Sequence, residues 1–238
     1  MKGSVEEAIQ SRLFWVNVLW DATGKRVLPK TSAFDARLRA SMNPRHDGTP
    51  NGCLFTVCDR FGAPEAVNEW PEVYFIPTVE WVEGVVQLAR DLGAKTVMEV
   101  GAGDGFATRC LRATEPKIRW LATDDWSWKD RVGSVDKNLV ACLDATEAIT
   151  RYKPDLTFWC WPPMEAEIEK ILDLPVTRYF LCVGEGPDGC TGWIDEQNCE
   201  PERLRHLDRV ARCRTDHWWG GDSPYLHSCH QIAKGARA

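Results

Sequence analysis

The chain lacks any apolar run approaching the ~20 residues that cross a bilayer, which excludes a membrane-spanning helix as the organising feature of its 238 residues. The opening stretch "MKGSVEEAIQSRLF" carries two glutamates and no apolar core of signal length, so a soluble, cytoplasmic protein is expected. Positive charge is not in excess. The 29 Lys and Arg stand against 35 Asp and Glu, for a formal net charge of −6. That balance argues against broad docking on nucleic acid or on an anionic membrane. The ten cysteines include no Cys-x-x-Cys pair. Several lie inside apolar runs ("TFWCW", "YFLCVGE", "VACLD"), as buried thiols of a reducing compartment do. "HSCH", His227 to His230, has no standard zinc-ligand spacing, so no metal is expected there. There is no internal repeat and no low-complexity segment.

What is present falls into two parts. Residues 1–72 carry Trp15, Trp20 and Trp70, turn punctuation at "MNPRHDGTPNG", and no strand–helix alternation. They are expected to form an N-terminal, helical cap over a domain spanning 73–238. From "PTVEWVEGVVQLARDLG" onward, Val79, Val82, Val86, Leu88 and Ala89 make a helical stripe that ends at Gly93. Five short apolar runs follow, "KTVMEV", "IRWLAT", "NLVACL", "DLTFWCW" and "RYFLCVG", separated by helix-length polar segments at 105–115, 146–152 and 164–173. Alternation of this kind predicts a doubly wound, mostly parallel seven-stranded α/β sheet. "DRVARCRT" and "PYLHSCHQIAK" read as a C-terminal antiparallel pair.

The chemistry-bearing stretch is "TVMEVGAGDGFATRCL". A strand runs into Gly101, Gly103 and Gly105, and a helix follows at once. Three alternate glycines cost folding entropy and imply a close approach to bare backbone. A dinucleotide fingerprint requires glycine at 106, where Phe106 stands. Glu99, inside the strand, would repel a phosphate and favour a cationic ligand.

"EVGAGDG" resembles the glycine loop of class I S-adenosylmethionine-dependent methyltransferases, with the pattern acidic-x-Gly-x-Gly-x-Gly. Three further landmarks fall in family order: Asp124 in "WLATDDW", Asp144-Ala145 in "CLDATEAI", and "CWPP" after the fourth strand. The resemblance covers about residues 78 to 190. It implies a Rossmann-like methyltransferase fold and S-adenosyl-L-methionine as cofactor. It also implies a cofactor site made of Glu99, Gly101, Gly103, Gly105, Asp124, Asp125, Trp126, Asp144, Ala145 and Cys160. Asp124 would take the ribose hydroxyls, Asp144 and Ala145 the adenine edge, and Trp126 the adenine face. Read for structure alone, Asp124 and Asp125 are turn residues and Asp144 is a helix N-cap.

The pattern breaks after the fourth strand. Trp161 stands where amine methyltransferases of this fold carry Asn or Asp, and an indole donates but cannot accept. Trp161 would instead wall a pocket for a flat acceptor, or face the sulfonium. Alternation puts Trp159 and Trp161 on one face, with Trp159 in the core. Glu185, the first polar group out of the fifth strand, is the candidate base or substrate anchor. His217, and Tyr74 at the join of cap and core, complete the catalytic set, with Asp188 and Cys190 weaker candidates. The function implied is methyl transfer to a small-molecule partner in a capped aromatic pocket. The alternatives are consumption of the same cofactor without methyl transfer, by aminocarboxypropyl transfer or cyclisation with release of methylthioadenosine, and a non-enzymatic binding protein.

Overall fold

The computed structural model describes residues 28, 30–32, 75–127, 135–184, 191–195, 199–208, 210, 212, 213 and 229–235. Apart from 28 and 30–32, the expected cap at 1–72 lies outside the described residues. Within the cap region, Leu28 packs on the core, and Thr31 donates from N and Oγ1 to Glu80 Oε2 at 2.8 and 2.9 Å.

Helix α1, Val79–Asp91, begins where Thr78 turns extended and its Oγ1 accepts from the Trp81 amide at 3.1 Å. Glu80 in its first turn and Arg90 in its last complement the helix dipole. Its buried face is Trp81, Val82, Val85, Val86 and Ala89, so of the expected stripe Val79 and Leu88 are only half-buried. A short strand β1, Phe75–Ile76, precedes it.

Strands β2 (Thr96–Val100), β3 (Arg119–Asp124), β4 (Val140–Cys142), β5 (Leu156–Cys160) and β6 (Tyr179–Gly184) match the five apolar runs. Helices α2 (Phe106–Thr114), α3 (Ala145–Tyr152) and α4 (Ile168–Leu172) fill the gaps between them. The remaining elements are β7 (Glu202–Arg203), α5 (Arg205–Asp208), β8 (Arg212–Cys213) and β9 (Cys229–Lys234).

The main sheet has seven strands in the order β4-β3-β2-β5-β6-β9-β7. The chain winds outward from β2 to β4, then crosses to β5 and β6, so the order reverses between β2 and β5. All pairs from β4 to β6 are parallel. β9 is antiparallel to both β6 and β7, and wedges between them. A C-terminal antiparallel pair is present, but β7 and β9 form it rather than the two expected runs. "DRVARCRT" contributes instead to β8, which pairs with β1 in a separate two-stranded sheet. Two adjacent runs with one turn between them predict a hairpin, but β9 finds two longer-range partners.

Strand alternation sends Val97, Phe158, Leu181 and Val183 to one face, under α1 and α2. It sends Met98, Val100, Phe180 and Cys182 to the other, under α3 and α4. β9 is locked by a buried polar chain. Trp81 Nε1 donates to His230 Nε2 at 2.8 Å, and His230 Nδ1 lies 3.1 Å from Asp208 Oδ1, which also accepts from the His230 amide at 2.7 Å. Arg203 closes the chain on Asp208 Oδ2 at 2.8 Å. His230 is fully buried in the core, and Cys229, which opens β9, is half-buried. Among the described residues, no helix is long and apolar enough to cross a membrane.

Candidate functional site

In a doubly wound sheet the crevice beyond the carboxyl ends of the strands opens where the order reverses, here between β2 and β5. The glycine turn leaves β2 at that point. Gly101, Gly103 and Gly105 have φ of 59°, 54° and 73°, the left-handed region that side chains disfavour. Gly105 N donates to Ala102 O at 2.8 Å to close the turn, and α2 starts at the next residue.

What comes close to these glycines is partly the protein itself. A Cβ on Gly101 would lie 2.3 Å from Trp159 Nε1, and one on Gly105 would lie 2.7 Å from a Val140 methyl. Gly101 nevertheless remains exposed and Gly103 half-exposed, so the turn keeps an open side.

Asp124, the last residue of β3, reaches across to this turn. Its Oδ2 accepts from Gly103 N at 2.9 Å and its Oδ1 from Trp126 N at 2.7 Å. Burial lifts the Asp124 carboxyl above its ordinary value; the two amide bonds oppose this, and the neighbouring Asp125 charge adds to the lift. Asp125 is exposed and accepts from Ser127 N at 2.8 Å.

Trp126 has φ 60°, uncommon for a bulky residue. Its Nε1 is buried with no hydrogen-bond partner among the described residues, and Lys137 Nζ lies 5.5 Å from its ring centroid. Strain and an unsatisfied donor together are the kind of cost that functional sites carry.

β4 delivers Asp144 beside this group, since Leu143 N donates to Asp124 O at 3.1 Å. Asp144 is exposed and caps α3, with Oδ1 accepting from Thr146 N at 2.8 Å and Glu147 N at 3.3 Å. Its bond from the Thr146 hydroxyl, against some desolvation, holds its carboxyl below the ordinary range. Ala145 opens that helix, half-buried.

Glu99 lies beneath the turn rather than on its surface, only 3% exposed. Its Oε2 accepts from Thr108 Oγ1 at 2.5 Å and Thr108 N at 3.1 Å, which ties β2 to α2. Burial pushes its carboxyl up to about 8, the Thr108 bonds opposing it and the charges of Asp104 and Asp124 reinforcing it. Asp104 faces the same turn, with Oδ1 accepting from Phe106 N at 2.9 Å. The whole corner is acidic.

Across the crevice, β5 ends at Cys160, whose thiol is pushed well up by burial, with the Glu99 and Cys182 charges adding to it. A thiol so raised is no nucleophile at neutral pH. Trp161 follows with φ 65°, half-buried and outside the strand, so alternation does not place it beside Trp159 as expected. The turn is pinned on both sides: Trp161 N donates to Val183 O at 2.7 Å and Gly192 N to Pro162 O at 2.9 Å. Met164, three residues on, is 64% exposed.

The fold thus gathers the ten cofactor-site candidates at the ends of β2, β3, β4 and β5. Glu185, His217 and Tyr74, with Asp188 and Cys190, lie outside the described residues. Sequence reading missed the contact of Trp159 with Gly101 and the role of Asp104. The first is a pairing across the sheet that no local pattern records. The second was legible, as an Asp between two turn glycines.

No protein-family model matches the chain and no curated protein matches it. Among solved structures it is similar to precorrin-6y C5,15-methyltransferase from Geobacter metallireducens GS-15, at 12% identity and TM-score 0.44, over 70% of this chain and 94% of that one. A SAM-dependent methyltransferase from Archaeoglobus fulgidus is 13% identical with TM-score 0.37, over 77% and 100% of the two chains. Human N-acetylserotonin methyltransferase, solved in complex with SAM, is 10% identical with TM-score 0.36, over 94% and 69%. With TM-scores below 0.5, the class of protein is defined by the strand order itself: a doubly wound α/β protein with one antiparallel strand set between the last two parallel ones.

Proposed function

We propose that the protein is an S-adenosylmethionine-dependent methyltransferase acting on a small-molecule acceptor. The observation that carries this is the bond from Gly103 N to Asp124 at the switch in strand order, 2.9 Å long, which fastens a half-buried carboxylate beside an open glycine turn. The fit to the cofactor rests on the donor set. Asp104 and Asp124 at the corner disfavour phosphate, Glu99 being protonated at neutral pH beneath the turn, while hydroxyls, an exocyclic amine and a sulfonium are all favoured by carboxylates. Asp124 would hold the ribose hydroxyls, Asp144 and Ala145 the adenine edge, and Trp126 the ring face.

The bound cofactor supplies an activated methyl group. The chain's own part is to place the acceptor in line behind it and to exclude water. The acceptor's lone pair forms the new bond to carbon as the carbon–sulfur pair returns to sulfur, and the acceptor's proton leaves to a base or to water. Trp161 cannot take that proton, which is why Glu185 is assigned the task, with His217 and Tyr74 as further polar groups of the acceptor site. Trp161 and exposed Met164 give the β5 edge an apolar lip, which suits a flat, uncharged acceptor. Residues 1–72 would cover the site.

Titration calorimetry with S-adenosylmethionine tests the cofactor, and mass spectrometry of the products tests the reaction. Binding, with adenosylhomocysteine formed only when an acceptor is added, is expected. No heat on titration, or methylthioadenosine released without any acceptor, would overturn the assignment.

A further inference from the structure

Trp159 has a place in the fold that its strand pattern did not announce. It is the last residue but one of β5, opposite Val100 of β2 and Cys182 of β6, and so stands at the reversal in strand order. One side of the residue packs on the core beneath the sheet. The polar edge of the indole is turned to the glycine loop. The position of a Gly101 Cβ falls 2.3 Å from Nε1, 2.9 Å from Cε2 and 3.1 Å from Cδ1.

Trp159 is partly exposed, and among the described residues its N–H makes no hydrogen bond. An indole N–H can only donate. The carboxylates that bond to this turn are Asp104 and Asp124, with Glu99 buried beneath it, and Arg109 reaches the Asp104 carbonyl at 3.4 Å. A ligand lying along the turn meets the carboxylates of Asp104 and Asp124, and at Gly101 the indole N–H of Trp159.

We infer that Trp159 Nε1 holds the carboxylate of the cofactor's amino-acid arm, and so fixes which way that arm lies on the loop. This rests on the methyltransferase reading above. Asp104 and Asp124 repel an anionic group, so the carboxylate is best held at Gly101, where the indole N–H faces it. Gly101 and Trp159 are then a matched pair: the glycine has no side chain so that the indole edge can reach the turn.

Calorimetry with three probes tests this on wild type and Trp159→Phe, which keeps an aromatic ring and loses the donor. The affinities for S-adenosylmethionine and adenosylhomocysteine are expected to fall about tenfold, the worth of one charge-assisted hydrogen bond. Methylthioadenosine, which has no amino-acid arm, should bind both proteins alike. Equal weakening of all three probes would mean that Trp159 only packs, and no weakening would mean that it does not touch the arm. Either result overturns the inference while leaving the methyltransferase reading in place. If wild type binds none of the three, that reading fails and this one falls with it. Should Trp159→Phe not fold, the indole N–H resonances of nitrogen-labelled wild type give the same answer. One should shift with adenosylhomocysteine and not with methylthioadenosine, and the lack of any such resonance overturns the inference.

Discussion

Gly103 donates its amide to the carboxylate of Asp124 across 2.9 Å, joining the turn after one strand to the end of the next. Asp124 also accepts from Trp126 N, so one side chain orders the turns after both β2 and β3. Asp124→Ala is expected to remove both bonds, costing about 1–3 kcal/mol of stability, and to weaken S-adenosylmethionine at least about tenfold. Urea unfolding and calorimetry on the same preparation separate the two losses. Unchanged cofactor affinity in a destabilised variant would mean that Asp124 serves the fold alone.

Gly101→Ala meets two obstacles at once. Its backbone sits at φ 59°, and the new methyl group would collide with the Trp159 indole. Together these should cost about 2–4 kcal/mol, read from the denaturation midpoint. Combining it with Trp159→Ala should recover part of the loss, because the collision disappears while the backbone strain stays. Strictly additive losses would show that the two residues do not press on each other.

Glu99 makes stability depend on pH at the alkaline side. Its folded value, about 8, lies above the ordinary 4.5, so the folded state holds the proton more tightly than the unfolded chain does. The contribution is complete below 4.5 and is lost as pH rises through about 8. Glu99→Gln keeps an acceptor for Thr108 and has no charge to bury. It should be the more stable protein at alkaline pH, by an amount that shrinks on acidification. Parallel stability profiles for the two proteins from acid to alkaline pH would sink this account.

His230 acts in the opposite direction. Burial depresses its proton affinity below the ordinary 6.5, against the pull of Asp208. Its Nε2 already accepts from Trp81, so a proton there would set donor against donor. Stability from this group is whole above 6.5 and is lost as pH falls below that value toward the depressed one. Trp81→Phe removes the opposing donor and should flatten the acid limb, though at lower stability overall. An unchanged slope between neutral and mildly acid pH would show that another group titrates there.

The order of elements from α1 to β6 could be read in the chain because it is local. Apolar runs of strand length alternate with segments of helical period, and Gly93 and Asp144 mark ends by chemistry that acts within a few residues. The glycine turn was legible for the same reason, since φ near +60° at Gly101, Gly103 and Gly105 is a demand on single residues. The family resemblance placed Asp124 at the end of one strand and Asp144 just after the next, where it caps a helix.

What the sequence could not settle by itself was which distant groups meet. β8 went to β1 and β9 went between β6 and β7, because the backbone bonds of a sheet edge are nearly sequence-blind and are assigned by the packing of the whole. Glu99 turned under the loop to Thr108, Trp161 left its strand at φ 65°, and Trp159 met Gly101. Each depends on where a neighbouring strand stops, a quantity fixed only when the sheet has closed.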